Sequence, residues 1–444
     1  MRPRTMAPVL PTELIELIVE SLGDQERISS LLSLCSTARW FVNCSQRHIF
    51  RKVTLHHPVS RAKPGTLRVH LDGYRKAILF AKTVKRRPDL ALYVEQLVYW
   101  MPSDAMWKTR EDFPIVLEAL ERMSNVSTLT TGFDQYILVP PRPQSGQSIA
   151  AWYTTIASLI QRPTVTRLIL RNLFLLPLDI LTKAPQLQTL EAYSTQLESS
   201  PSSATGLQLK TLTLDGPYSI FVGRDAENSC HLLGLPTLVD LGISVGCPRL
   251  DDRRLYPLRL CRTLRSLTVH YIDDIFTPTM RCPLDELNPS SFLTLTHLTI
   301  KITHKITALG NSLYINPRIY LPACGALRQL SKLKTMVLHI YFGPYSRAEL
   351  RLLGRTSYRL GDYNPSQRAD MYDVVSDRST FPVLREFLVN IHIRSQVLPG
   401  DEWARGMADN FCRGFKAAIE PIMIDHVVDL GARGSPIQFV LNID

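Results

Sequence analysis

Long apolar runs are missing from this chain. Nowhere do about 18 consecutive apolar residues occur, the length a membrane-spanning helix needs. The best candidate, Leu168 to Leu181, is interrupted by Arg171, Asn172, Pro177 and Asp179. The N-terminal apolar stretch is broken by Pro8 and Pro11 and soon meets Glu13, which argues against a secretory signal. No membrane association is expected. Paired cysteines are missing too. The eight cysteines (Cys35, Cys44, Cys230, Cys247, Cys261, Cys282, Cys324 and Cys412) are scattered with no C-x-x-C among them. They read as reduced core residues, and a cytoplasmic or nuclear location follows.

Catalytic signatures are absent as well. The chain has no Walker A loop, no G-x-G-x-x-G, no G-x-S-x-G and no H-E-x-x-H. Its eleven histidines show no ligand spacing: His56 and His57 are adjacent, and Cys230-His231 lacks a second pair. No catalytic residue, cofactor or metal is expected.

What is present is a globular composition, 45% apolar and 20% charged over 444 residues, with a net charge of +11 that is unevenly spread. Residues 1–50 balance five basic against five acidic side chains. From Arg51 to Arg87 there are eleven Lys or Arg against Asp72 alone, a local +10, which leaves 11 − 10 = +1 for everything after it. Such a segment calls for an acidic neighbour.

The opening fifty residues read as a small helical module. Pro11 suits the first turn of a helix, and Glu13 complements its dipole. Leu14, Ile18 and Leu22 recur at spacing four while Glu13, Glu16 and Glu20 fall elsewhere. Gly23 ends that helix and Asp24 can cap the next. A second apolar run passes through Ile28, Leu31, Leu32 and Cys35 to Trp40 and Phe41, and Ile49-Phe50 closes the segment. About forty residues bury too little to be comfortably stable alone, so the module should dock on something.

These residues resemble an F-box. Leu10-Pro11, Glu13-Leu14, Ile18 and Leu22, then an apolar helix and an aromatic at Trp40 or Phe41, carry the resemblance over about residues 8 to 55. The trailing Ile49-Phe50-Arg51-Lys52-Val53-Thr54-Leu55 is similar to F-box proteins of mushroom-forming fungi. The resemblance implies docking on the Skp adaptor of a cullin-based ubiquitin ligase. Leu10, Pro11, Leu14, Ile18 and Leu22 would meet the adaptor, with Leu31 and Leu32 joining them. Adaptors of that family are acidic, which suits the basic stretch from Arg51.

Beyond residue 90 one pattern returns: apolar, two others, apolar, one other, apolar or small. Its instances are Val94-Leu97-Tyr99, Val126-Leu129-Thr131, Val165-Leu168-Leu170, Leu187-Leu190-Ala192, Leu209-Leu212-Leu214, Leu238-Leu241-Ile243, Leu264-Leu267-Val269, Leu295-Leu298-Ile300, Leu333-Met336-Leu338 and Leu384-Phe387-Val389. Each reads as a short strand with alternate residues turned inward. One such unit cannot hide its apolar side, whereas stacked units share a core. The pattern resembles a leucine-rich-repeat solenoid with a parallel sheet on its concave face, although the asparagine or cysteine that often follows the strand is mostly missing. An ordinary α/β domain with helical crossovers is the alternative.

The expected fold is therefore α/β: an F-box over 8–50, a basic connector and cap over 51–90, repeats over 91–395 and a C-terminal cap over 396–444. Spacings between motif centres run from 22 to 51 residues, so the longer ones must hold helices or insertions. Ser148 to Gln161 reads as one such helix. Pro140–Gln147 and Ser199–Gly206 read as loops. Gly343–Pro382 is rich in Tyr and Arg, types favoured in protein-binding hot spots, and makes Tyr345, Arg351, Tyr358 and Tyr363 candidate target contacts. Glu402 to Ile419 reads as a helix with Trp403, Met407, Phe411 and Phe415 on one stripe, and Ile437 to Ile443 as a last strand.

The expected function is to hold an unknown target protein on a Skp–cullin ligase, raising effective concentration rather than doing chemistry. Nucleic-acid binding through residues 51–87 is the rival, with only Tyr74 and Phe80 interleaved as stacking partners. A repeat scaffold outside any ligase is the third reading.

Overall fold

Every motif core expected to be a strand is one. In the computed structural model the residues described are 12–24, 28–37, 39–55, 67–101, 113–133, 147–173, 176–198, 207–216, 220–222, 233–245, 251–271, 283–305, 308–309, 312–315, 324–343, 357–360, 381–393 and 438–443, with single positions or pairs at 231, 379 and between 406 and 417. The chain is mixed α/β and forms two compact units, Met1–Leu190 with Ser202–Leu207, and Glu191–Pro201 with Gln208–Asp444.

The first unit opens with three helices, α1 (Thr12–Asp24), α2 (Ile28–Thr37) and α3 (Arg39–Arg51). Helix α3 passes directly into β1 (Lys52–Leu55), and helix α4 (Leu67–Arg86) comes next. Then come β2 (Gln96–Met101), α5 (Phe113–Glu121), β3 (Thr128–Phe133), α6 (Gln147–Ile160) and β4 (Arg167–Arg171). Parallel strands need a long crossover, which the helices supply. Each turns an apolar stripe inward: Ala77, Ala81 and Val84 on α4, Val116, Ala119 and Leu120 on α5, Ile156, Leu159 and Ile160 on α6. The four strands lie in the order β1-β2-β3-β4, all parallel, with Val53, Leu97, Leu129 and Leu168 opposite one another. Two short elements, β5 (Leu176–Pro177) and α7 (Leu178–Thr182), precede β6 (Thr189–Tyr193), which carries the chain into the second unit.

The ladder thus begins earlier than the motif spacing beyond residue 90 places it. Phe50-Val53-Leu55 obeys the same spacing, but it lies within the stretch read as the end of the helical module. Residues 51–90, read from sequence as a basic connector and cap, hold the strand β1 and the helix α4.

In the second unit β7 (Gln196–Glu198), β8 (Thr211–Asp215), β9 (Ile220–Val222), β10 (Asp240–Val245), α8 (Asp251–Leu260), β11 (Ser266–Tyr271), α9 (Pro289–Phe292) and β12 (His297–Lys305) come in turn. After them lie β13 (Ala308–Leu309), β14 (Ser312–Ile315), α10 (Cys324–Leu327), β15 (Thr335–Gly343), β16 (Ser357–Leu360), β17 (Glu386–Ile393) and β18 (Gln438–Ile443). Seven parallel strands, β8-β10-β11-β12-β15-β17-β18, form its main sheet. Leu212, Leu241, Leu267, Leu298, Met336, Phe387 and Phe439 stand in one row across it. Among the described residues, neither unit's strands close into a barrel. Small ladders join β7 to β9 and β14 to both β13 and β16.

All three positions of all ten motif instances are buried. One-residue slippage would turn this whole set to solvent, so the burial pins the register. The backbone repeats as faithfully. Two successive amides entering a strand converge on one carbonyl of the preceding strand's lead-in. Ser127 and Thr128 do so on Glu95, Val239 and Asp240 on Lys210, Arg265 and Ser266 on Val239, and Thr296 and His297 on Arg265. Thr263 and Thr294 add side-chain hydrogen bonds to the carbonyls of Leu238 and Leu264.

Helix α6 lies one residue from its expected position, and β18 matches the expected last strand. The loops at 140–146 and 199–206 lie outside the described residues. So do Trp403, Met407, Phe411 and Phe415, although Gly406, Asp409, Asn410, Arg413 and Gly414 around them are helical. No described helix is long and apolar enough to cross a membrane.

Candidate functional site

The three opening helices have two apolar faces where their size supports only one core. Ile15, Val19, Leu31 and Phe41 bury against each other, with Leu34, Cys44 and Ile49 packed around them. On α1 the neighbouring stripe points the other way: Leu14, Leu17 and Ile18 are exposed, as are Ile28 and Leu32 on α2, at 42% to 60% each. Five large apolar side chains exposed on two short helices make these helices the candidate interaction surface of the first unit. Of the residues singled out from sequence, Leu14, Ile18 and Leu32 stand on this face. Leu31 does not. At 1% exposure it belongs to the inner core, where it clusters with Ile15, Val19 and Phe41, and it has no surface to offer a partner. Leu17, three residues after Leu14, and Ile28, four before Leu32, share this face by helical spacing, a signal that the spacing-four stripe of Leu14, Ile18 and Leu22 alone leaves out. Leu10 and Pro11 lie outside the described residues, as does the side chain of Leu22.

The module is tied to the first strands of the ladder. Arg51 donates to Glu95 at 2.9 Å, the Glu95 amide donates to the Arg51 carbonyl at 2.9 Å, and the Phe50 and Phe80 rings lie 6.0 Å apart. The basic segment also finds acids within the chain. Besides Arg51 with Glu95, Lys85 meets Glu118 at 3.6 Å and Arg87 meets Asp89 at 2.6 Å. Lys76, Lys82 and Arg86 remain exposed on α4.

The strands present their other face between the core rows. In the first unit Trp100, Gly132 and Arg171 stand opposite one another on β2, β3 and β4. Gly132 has no side chain to intervene, so the Arg171 guanidinium reaches 5.9 Å from the Trp100 ring centroid. Gly132 has φ of 143°, and a Cβ there would collide with the Arg171 carbonyl. Only glycine fits.

In the second unit a polar row crosses the sheet. Ser244 pairs with His270, His270 with Lys301, Lys301 with His339, His339 with Asn390 and Asn390 with Asn442. At its start Asp215 accepts from Ser244 Oγ and from the Gly216 amide at 2.8 Å, and meets His270 Nδ1 at 2.8 Å. His270 Nε2 lies 3.0 Å from Thr303 Oγ1. Burial would push the Asp215 carboxyl up. His270 opposes it through hydrogen bond and charge, the Ser244 hydroxyl and Gly216 amide add to that, and the carboxyl settles at about 2. Further along, His339 Nδ1 lies 3.0 Å from His392 Nε2, and Tyr341 stacks on His392 with centroids 4.6 Å apart. Burial pushes His339 below its ordinary value, and His392 and Lys301 add to that.

Motif spacing gives no sign of this row. Its members come from different repeats, with 55 residues between Asp215 and His270 and 53 between His339 and His392. Alternation marks them as outward-facing, but which of them meet depends on register. The candidates Tyr345, Arg351 and Tyr363 lie outside the described residues. Tyr358 lies on β16, where its backbone pairs with that of Leu313. Among the described residues, no group of three or more His, Cys, Asp or Glu could hold a metal. Burial pushes the Cys261 thiol up to about 12, which fits an inert core residue.

No family model matches the chain, and no curated protein matches it.

Proposed function

We propose that this protein is a substrate-recognition subunit of a Skp–cullin–F-box ubiquitin ligase. The opening helices dock on the Skp adaptor, and a leucine-rich-repeat array behind them holds a target protein. The observation that carries this reading is the exposed Leu14, Leu17, Ile18, Ile28 and Leu32 on a module that already has its own core. A face of this kind, on a segment that resembles an F-box, is suited to a partner that covers it. The unbroken passage from α3 into β1 fits a role in which the docking module is joined to the first strands without a flexible linker. Nucleic acid is a poorer fit to the basic segment, because Arg51, Lys85 and Arg87 already meet carboxylates.

Burying each exposed leucine or isoleucine contributes about 1.5–3 kcal/mol. Leu14→Asp combined with Ile18→Asp should therefore lower adaptor affinity at least about a hundredfold. Co-expression with a Skp adaptor and affinity capture reads this directly, with circular dichroism as the check on folding. Should the double variant unfold, Leu32→Asp on α2 replaces it. Capture that is undiminished in a folded variant overturns the assignment.

A further inference from the structure

We infer that the second unit's sheet carries a binding site for a carboxylate-bearing extended peptide, centred on Lys301 and His339. This rests on the reading of that unit as the part that holds a target, and it names the chemistry of the target segment.

The charges on this face are divided unequally. The one carboxylate in the row, Asp215, is already engaged by His270, Ser244 and the Gly216 amide. Lys301, the next member after His270, has no acid within ion-pairing distance among the described residues. Every described group facing His339 is cationic or neutral: Lys301 on β12, Asn390 and His392 on β17, and Tyr341 on its own strand. Glu386 stands at the far end of β17, opposite Thr335. Lys301 and His339 thus form a half-buried pair of one cation and one imidazole, with no described carboxylate beside them. Two residues back along the strands, Val337 and Leu388 stand side by side on the same face and are half-buried. The surface therefore offers apolar contact beside an anion site.

A carboxylate fits better than a phosphate. Dianionic phosphate is characteristically gripped by the forked donors of arginine. This row has no arginine, only one ammonium and imidazoles that ionise on demand. A single negative charge matches that supply.

Binding should also take up a proton. His339 is held below its ordinary value by burial, then by His392 and Lys301, so it is neutral near pH 7. A carboxylate placed between Lys301 and His339 favours the charged imidazole, which raises its pKa in the complex. Affinity must then rise as pH falls.

The test uses the full chain and a fluorescein-labelled peptide alternating Glu and Val, with its Gln/Val and phosphoserine/Val counterparts, followed by anisotropy. The Glu/Val peptide is expected to bind at least about tenfold more tightly than Gln/Val, and severalfold more tightly at pH 6 than at pH 7.5. Lys301→Gln should remove most of the preference for Glu, and His339→Asn should flatten the pH dependence. No saturable binding of Glu/Val, equal binding of Gln/Val, tighter binding of the phosphoserine peptide, or variants that behave like the parent would each overturn the site. Adaptor capture by the same variants, expected unchanged, separates failure here from failure of the ligase reading.

Discussion

At Asp215 burial and charge act in opposite directions, and charge prevails. The side chain is about one-third accessible, and His270, Ser244 and Gly216 bring its carboxyl to about 2 against an ordinary 3.8. A carboxyl lowered by folding stabilises the native state above its unfolded value and loses that contribution as pH falls toward its folded value. Here the window runs from about pH 4 down to about pH 2, and the contribution above it is about 2 kcal/mol. Asp215→Asn should accordingly be about 1–3 kcal/mol less stable at pH 7, since His270 and Ser244 lose a charged acceptor. The deficit should shrink at pH 2.5. Urea unfolding at the two pH values measures it, and a deficit independent of pH would exclude the linkage.

Each strand of the ladder does two tasks by alternation, with one side of the pleat for the core and the other for solvent or a ligand. The core side is unforgiving, because neighbouring repeats pack against both edges of each strand. Leu298 on β12 is wholly buried between Leu267 and Met336. Leu293, five residues earlier, is exposed beyond the end of α9. Leu298→Ala should cost about 2–5 kcal/mol through lost contacts and a cavity, whereas Leu293→Ala should stay within about 0.5 kcal/mol. Denaturant midpoints of the two variants decide whether the motif spacing or leucine content as such carries stability.

Across the whole molecule, protection should be graded. The second unit's central strands are hydrogen-bonded on both sides over a continuous apolar row, while α1 and α2 share a core of only a few side chains. Regions with little buried apolar contact open at lower cost. Amide hydrogen exchange is expected to be fastest in α1 and α2 and slowest in β10, β11 and β12. Adding a Skp adaptor should slow α1 and α2 and leave those strands unchanged. Equal protection throughout the free protein would show that the helical module is not waiting for a partner.

The repeat itself was legible in the amino-acid order. An apolar residue every second position, preceded by one three residues back, leaves a strand only one way to hide its leucines, so residues from Val94 to Val389 announced their own burial. The extra instance at Phe50-Val53-Leu55 was equally readable and was masked by its overlap with the helical module. Leu31 is a different case. Two apolar stripes on a ten-residue helix look alike in sequence, and only packing against Ile15, Val19 and Phe41 decided which one is inside. The polar row was decided by tertiary structure as well. Sequence determined that His270, Lys301, His339 and His392 face away from the core. That they meet one another depends on inter-strand register, which loops of different length conceal and which hydrogen-bonded ladders set.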